Sequence, residues 1–415
     1  MLHDSIWRHR DLRLMIPARA ISAFGDDMAL LVLTLRVYAD GFGPWSITLL
    51  LLCAAAPVVV LAPVAGRLVD SVPFRTLAAW SAGWQAACCV ALAFVGPRWA
   101  VFALVVALQV GHVVANPAWT ALVPEIAEPD EIGRAMGASQ ALTTAAAVAG
   151  PAAAGVLSGV FGYRAPLLVD AGTFAVLVVA AVLIRTVRRA AVAGADDGEA
   201  VPGPAPWSLR GDLLLWPLLL GLCALVLVGE MTNVVEVFLV RGTLGAGTTA
   251  FGLVAAALAS GILVGSVVAG RSVGDHVRAI RTAVAALVLG LTIGLAGLAP
   301  TLWAFAGAWA FLGISNGFAN VDASTLLLGR TPEFCRGRVL ATVNAMVRGS
   351  SLVAMVLGGL AGSLLGPRET FVLAGGAMTV VAVALLLRLT RTLSADSARS
   401  DAIPSALPSA ADRPA

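Results

Sequence analysis

Residues 45–75 read WSITLLLLCAAAPVVVLAPVAGRLVDSVPFR: a stretch without a charge from Trp45 to Ala65, then a polar loop. An α-helix needs about 20 apolar residues to cross the hydrocarbon of a bilayer. The run is continuous rather than alternating, so it reads as a spanning helix and not as a strand of a membrane barrel. The same pattern fills the rest of the chain. Of 415 residues, 59% are hydrophobic and 12% charged, and the mean hydropathy is +0.91. Soluble domains carry about 25% charged residues. This composition excludes a nucleic-acid-binding protein, a secreted disulfide scaffold and a cytosolic enzyme.

Apolar runs punctuated by charges, Gly and Pro give twelve spans: 14–36, 45–65, 76–95, 101–122, 134–159, 166–184, 214–239, 250–270, 280–299, 302–327, 338–365 and 370–389. The chain has no Lys, so all 27 basic residues are Arg, which excludes Schiff-base chemistry and a lysine-dependent phosphate loop. Counting loops and tails, 20 arginines fall on the side of the N-terminus and five on the other, which predicts that both termini are cytosolic. The first run carries Asp26 and Asp27 and no cleavage site follows, so it is expected to be retained. Cys53, Cys88, Cys89, Cys223 and Cys335 form no CxxC pair and are read as small buried thiols, with no metal and no cofactor expected.

The stretch GADDGEAVPGPAP interrupts the spans near the middle. It divides the chain into a bundle at 1–190, a cytosolic linker at 191–211, a second bundle at 212–392 and a disordered tail at 393–415. The two bundles repeat. Adding 204 to a position returns a related residue: Gly25-Asp26 becomes Gly229-Glu230, Gly66-Arg67 becomes Gly270-Arg271, and Asn116 becomes Asn320. Gly133-Arg134 becomes Gly337-Arg338, and Gln140 becomes Asn344. The expected fold is therefore all-α and polytopic, twelve transmembrane helices in two six-helix pseudo-symmetric bundles with a site at their interface.

At this point the chain resembles the major facilitator superfamily. The loop GRLVDSVPFR is similar to that family's G-x-L-x-D-R-x-G-R-R: Gly66, Leu68, Asp70 and Arg75 match, while Ser71 and Pro73 depart from it. A second copy, GRSVGDHVR, runs from Gly270 to Arg278 and contains Asp275. The run from Asn116 to Leu142 resembles the bacterial exporter branch that includes enterobactin and macrolide efflux proteins. Gly150-Pro151 with Gly155 is similar to the antiporter motif of drug exporters. The resemblance implies a cavity lined by all spans except the third, sixth, ninth and twelfth. It also implies a conformational latch in which Gly66, Asp70 and Arg75, with Asp275, meet the start of span 11 near Arg338.

Central polar residues follow that division. Ionisable groups inside a membrane are costly and mark function. Asp26, Glu230 and His112 are the candidates for proton coupling. Asp27, Gln109, Asn116, Gln140, Asn233, Glu236, Asn316, Asn320, Asn344 and Arg348 are the candidates for a substrate cavity. Asp27 is about 100° round the helix from Asp26. Arg348 cannot deprotonate and needs a counter-ion, Glu230, Glu236 or Asp26, or else an anionic substrate. Asp170 is placed near the outer end of span 6, and Arg19 is read as reaching for the interface. Gly313-Ile-Ser-Asn-Gly317 satisfies the hydrolase pattern G-x-S-x-G, so an intramembrane serine hydrolase pairing Ser315 with His112 is the rival of another class. The leading expectation is a monomeric secondary transporter of the bacterial inner membrane. It would export a bulky, partly apolar small molecule (a drug, macrolide, siderophore or secondary metabolite) against protons. The alternative is an uptake symporter or facilitator.

Overall fold

The computed structural model describes residues 6–41, 43–128, 131–186, 209–212, 215–270, 274–332 and 335–401; for Asp70, Arg210, 336–338 and 391–401 it describes the backbone alone. The described residues form α-helices and no strand. In a bilayer an apolar segment must pair its backbone groups internally, and a helix does so. The first bundle contains α1 (Arg10–Ala39), α2 (Pro44–Ser71), α3 (Phe74–Phe94), α4 (Arg98–Ile126), α5 (Ile132–Phe161) and α6 (Arg164–Leu183). The second contains α7 (Leu215–Val237, continued by a π-helical turn at Phe238–Thr243), α8 (Thr248–Ala269), α9 (Asp275–Gly297), α10 (Leu302–Arg330), α11 (Arg336–Leu364) and α12 (Pro367–Asp401). Eleven of these, α2 to α12, are long and apolar enough to cross a membrane. The remaining one, α1, is 30 residues long and carries Arg19, Asp26 and Asp27, which lower its apolarity.

Of the linker expected at 191–211, only 209–211 lies within the described residues, as a short 3-10 turn. Of the tail expected at 393–415, residues 393–401 belong to α12 and the remainder lies outside the described residues. No Gly or Pro interrupts the chain between Ser394 and Asp401, so nothing stops the helix there.

The repeat is visible contact by contact. In the first bundle α1 packs on α5, α2 on α4 and α3 on α6; in the second, α7 packs on α11, α8 on α10 and α9 on α12. The turns repeat as well. Gly41 and Gly245 adopt φ of +78° and +67°, and Gly162 and Gly366 adopt +75° and +97°; each pair is 204 residues apart. A side chain is strained at such angles, and glycine is not.

The bundles meet along two seams, α5 against α8 and α2 against α11. In the first, a Cβ on Gly155 would stand 2.9 Å from Gly252 Cα, and one on Gly252 would stand 2.5 Å from the Pro151 carbonyl oxygen. In the second, a Cβ on Gly359 would collide with Thr48, whose hydroxyl donates to the Met355 carbonyl at 3.2 Å. Adding 204 to 48, 151 and 155 gives 252, 355 and 359, so one contact is used twice. Both seams lie at the late turns of α5 and α11 and the early turns of α2 and α8. The bundles therefore touch on one side of the molecule and part toward the side where α1 begins and α12 ends.

Candidate functional site

A cavity of about 620 Å³ lies where the bundles part. Leu30 of α1, Leu51 and Val58 of α2 and Met355 of α11 form an apolar wall. Gln109, His112 and Asn116 of α4, Glu230 and Asn233 of α7 and Arg348 of α11 form a polar one. Six residues expected from sequence are thus brought together. Asn233 donates to the Glu230 carboxylate at 3.2 Å. Arg348 is exposed in the cavity and makes no ion pair among the described residues. Gly66, near the end of α2, marks how far the cavity runs toward the open side.

Two smaller spaces adjoin it. One, of about 330 Å³ between α1, α2 and α4, is bordered by Asp26, Asp27, Gln109 and His112. The two aspartates are neighbours around α1, yet both reach this space. The other, of about 190 Å³, lies inside the first bundle and is bordered by Arg19, Asp26, Gln85, His112, Asn116 and Trp119, among others. His112 borders all three spaces, and its Nδ1 stands 3.9 Å from Asp26 Oδ2. Asp26 itself does not border the large cavity and reaches it by way of His112.

Several expected residues lie elsewhere. Glu236 is buried beside the Trp309 indole and borders none of these spaces. Six residues on from Glu230, it points about 120° away around the helix. Gln140 bonds to Thr144, one turn along its own helix. Asn320 bonds to Asn316 in the same way, and Asn344 is exposed on α11; none of these borders the three spaces. Of the latch, Arg75 donates to the Ile184 carbonyl at 2.6 Å, tying α3 to the end of α6. Asp275 stands 3.9 Å from Arg330, tying α9 to α10. Both partners lie within the residue's own bundle. The side chains of Asp70 and Arg338 lie outside the described residues.

Other contacts were not foreseen. Arg19 does not reach for the interface but donates to Asn116 at 2.8 Å, bridging α1 to the cavity wall. Asp322, one of the polar residues of span 10, is fully buried and accepts from Arg278 at 3.4 Å and from Arg281. Both arginines stand one turn apart at the start of α9, and that spacing was the available signal. Asp170, in the second turn of α6, is fully buried within the first bundle. Ser315 sits in the middle of α10, its hydroxyl donating to Phe311. Gly313 and Gly317 pack α10 onto the α8 backbone, so the G-x-S-x-G pattern here is a helix contact and not a strand-to-helix elbow. Among the described residues no cluster of His, Cys, Asp and Glu is placed to hold a metal ion.

The family model described as Major Facilitator Superfamily matches residues 15–240 and 218–412. The chain belongs to the major facilitator superfamily. It is a multi-pass membrane protein of a transporter family. It is 24% identical over 396 residues to the "uncharacterized MFS-type transporter YfiS" of Bacillus subtilis (strain 168), covering 91% of this chain and 93% of that one. It is 27% identical over 343 residues to the lysophospholipid transporter LplT of Serratia proteamaculans (strain 568), covering 79% and 82%. Among solved structures, it superposes on a bacterial homologue of the iron transporter ferroportin in an inward-facing state with a TM-score of 0.71, at 15% identity over 94% of this chain and 99% of that one. A POT family transporter gives a TM-score of 0.72 at 11% identity, over 92% and 96%. These two likenesses concern the fold.

Proposed function

We propose that this protein is a secondary transporter that exports a bulky amphipathic molecule in exchange for protons, by alternating access. One observation carries the reading: the cavity of about 620 Å³ is lined by apolar side chains, most of them from α2, and by polar ones of α4, α7 and α11, where Arg348 has no counter-ion among the described residues. A permanent cation at that depth calls for an anionic group. Glu230 shares the wall, and an acidic substrate head would compete with it for Arg348. The apolar wall takes the body of the same molecule. A lysophospholipid, which the Serratia relative's name gives as its cargo, has this chemistry and belongs beside antibiotics and siderophores as a candidate.

Asp26 is the proton site in this reading. It borders the two smaller spaces, and His112 stands between it and the substrate cavity. Binding a proton in one facing state and releasing it in the other is what lets a gradient do work. The arginine bias assigns both termini to the cytosol of a bacterial inner membrane, so the open side faces inward. Arg75 and Asp275 are engaged within their own bundles, which leaves Asp70 and the start of α11 to act as the latch. The unit of function is the monomer.

The test has two stages. Deleting the gene sensitises cells to one class in a panel of antibiotics, siderophores and lysophospholipids, and an uncoupler removes the difference. In vesicles carrying that compound, Asp26→Asn abolishes efflux driven by a pH gradient and spares exchange at zero gradient, because Asn mimics only the protonated acid. Equal loss in both assays makes Asp26 a binding or folding residue. A deletion strain that accumulates less of the compound overturns export in favour of uptake.

A further inference from the structure

Asp170 has no role in that reading, and its surroundings are unusual. It is 0% exposed, and no cation pairs with it among the described residues. The Cys89 thiol donates to it at 3.1 Å from α3, and the Thr173 hydroxyl donates to it at 3.1 Å. Its carboxylate lies against α1 at Gly25, where any Cβ would collide with it. The next residue is Asp26, within electrostatic reach of Asp170. The α6 carboxyl therefore meets α1 at the residue next to Asp26, at a position that carries no side chain.

The space of about 190 Å³ beside Asp26 supplies a second observation. Gln85 and Trp119 border it; they are 1% and 2% exposed. Gln85 Oε1 and the Trp119 indole N–H are buried, and neither finds a protein partner among the described residues. Buried polar atoms are almost always bonded to something. An acceptor and a donor facing one chamber, with Arg19, Ser22 and Thr143 also on its wall, give water the two to four partners that it needs.

We infer that the coupling proton is held jointly by Asp26 and Asp170, and that it reaches the pair through water in this chamber rather than through the substrate cavity. The inference rests on Asp26 being the proton site. Like carboxylates brought together share one proton, and the pair titrates as a unit. The charged and titratable neighbours are few. Asp27 and Arg19 lie on α1, the latter bonded to Asn116; Cys89 is on α3 and His112 on α4. From across the large cavity, Arg348 reaches His112 electrostatically. Neither α2 nor α5 places a charged group on the two spaces that Asp26 borders. When the proton leaves, one carboxyl O–H bond breaks, the proton passes to chamber water, and the pair carries one more negative charge.

The experiment needs no substrate. Infrared difference spectra of the full chain in phosphatidylglycerol–phosphatidylethanolamine vesicles, taken across a pH jump, report buried carboxyl C=O stretches. The expected result is that Asp170→Asn displaces the band that Asp26→Asn removes, and the reverse. Transfer to heavy water shifts the band, and Gln85→Leu and Trp119→Phe slow that shift several-fold. Should Asp170→Asn fail to fold, Thr173→Val and Cys89→Ala remove its hydrogen-bond donors singly and displace the same band. Bands that titrate independently overturn the pair. Exchange slowed by Asn233→Leu in the large cavity, and not by the chamber variants, overturns the route. Either failure leaves the export assays untouched, and failure of those assays leaves the spectroscopic pairing standing.

Discussion

The two bundles share a fold and solve equivalent contacts with opposite chemistry. Between α9 and α10, Arg278 and Arg281 hold a buried Asp322. The positions 204 residues earlier are Phe74, Leu77 and Ala118, between α3 and α4; all are apolar and buried, and the Phe74 ring meets Trp119 edge-on at 5.0 Å. Between α1 and α6 the exchange runs the other way. Asp11 accepts from the backbone N–H groups of Arg185 and Thr186 at 3.1 and 2.8 Å. Its counterpart is Leu215, which shares an apolar cluster with Leu389, the counterpart of Arg185. The repeat thus specifies where helices touch, and either a packed apolar pair or a satisfied polar one serves.

Backbone packing differs more consequentially. Gly261 and Gly265 of α8 meet Gly313 and Gly317 of α10 backbone to backbone. The equivalent residues of α2 and α4 are Pro57, Leu61, Gln109 and Val113, none of them glycine, and Gln109 and Val113 border the large cavity. Pro17, Pro57, Pro63, Pro117, Pro124 and Pro151 all lie inside helices of the first bundle, and α8 to α11 have no internal proline. Proline removes a helical hydrogen bond and bends the helix. The first bundle is the loosened one, and it carries the two smaller spaces and the acids beside them.

The largest effect is expected where the ionic solution is broken on one side only. Asp322→Ala removes the buried carboxylate that Arg278 and Arg281 share, leaving Arg281 the Ala269 carbonyl, and removing one partner of a buried pair costs about 3–5 kcal/mol. Replacing the whole set with the first bundle's residues, Arg278→Phe with Arg281→Leu and Asp322→Ala, is expected to recover most of that loss, because an apolar set of similar volume is often neutral. Unfolding in mixed micelles measures both. A triple variant as unstable as Asp322→Ala would show that the two bundles are not interchangeable at this contact.

A smaller effect tests the packing contrast. A Cβ on Gly313 would stand 2.9 Å from the Ile262 backbone nitrogen and 3.0 Å from Gly261 Cα, so Gly313→Val must separate α8 from α10, at about 1–3 kcal/mol. Gln109 is its equivalent on α4 and borders open space, so Gln109→Val is expected to cost roughly 0.5 kcal/mol or less. Equal costs would mean that the cavity side is as tightly packed as the glycine seam.

Much of this was legible in the sequence, for a physical reason. Length, apolarity and a gapless offset of 204 fix spans, order and register, and the seam contacts and left-handed glycines obey that offset. The polar wall was legible because lipid excludes His112, Asn116, Glu230 and Arg348 from any other face. Rotation was not legible for isolated acids. Where lipid and core are equally apolar, as with exposed Val60, Val267 and Val380, a helix shows no sidedness to orient Glu236. Asp170 required knowing that Gly25 faces it, and Asp322 that two arginines at the start of α9 reach it.

The smallest effect concerns the α1–α6 contact and depends on pH. Asp11 lies before the apolar part of α1 and is 7% exposed. Burial opposes its ionisation, but the Thr186 hydroxyl at 2.6 Å and the two backbone N–H groups outweigh it and hold the carboxyl below its ordinary range. A carboxyl depressed by folding stabilises the folded state at every pH above its unfolded value, about 3.9. That contribution is lost as pH falls through the folded value. Asp11→Asn keeps one acceptor oxygen and discards the charge, so it is expected to cost about 1–2 kcal/mol near neutrality. The difference from wild type should stay level down to about pH 5 and shrink below about 4. Leu215, the counterpart in the second bundle, has no group to titrate, so Leu215→Ala should cost the same at every pH. A difference for Asp11→Asn that is equally flat would mean that Asp11 holds α6 by shape, as Leu215 holds α12, and that the two bundles differ there in residue but not in physics.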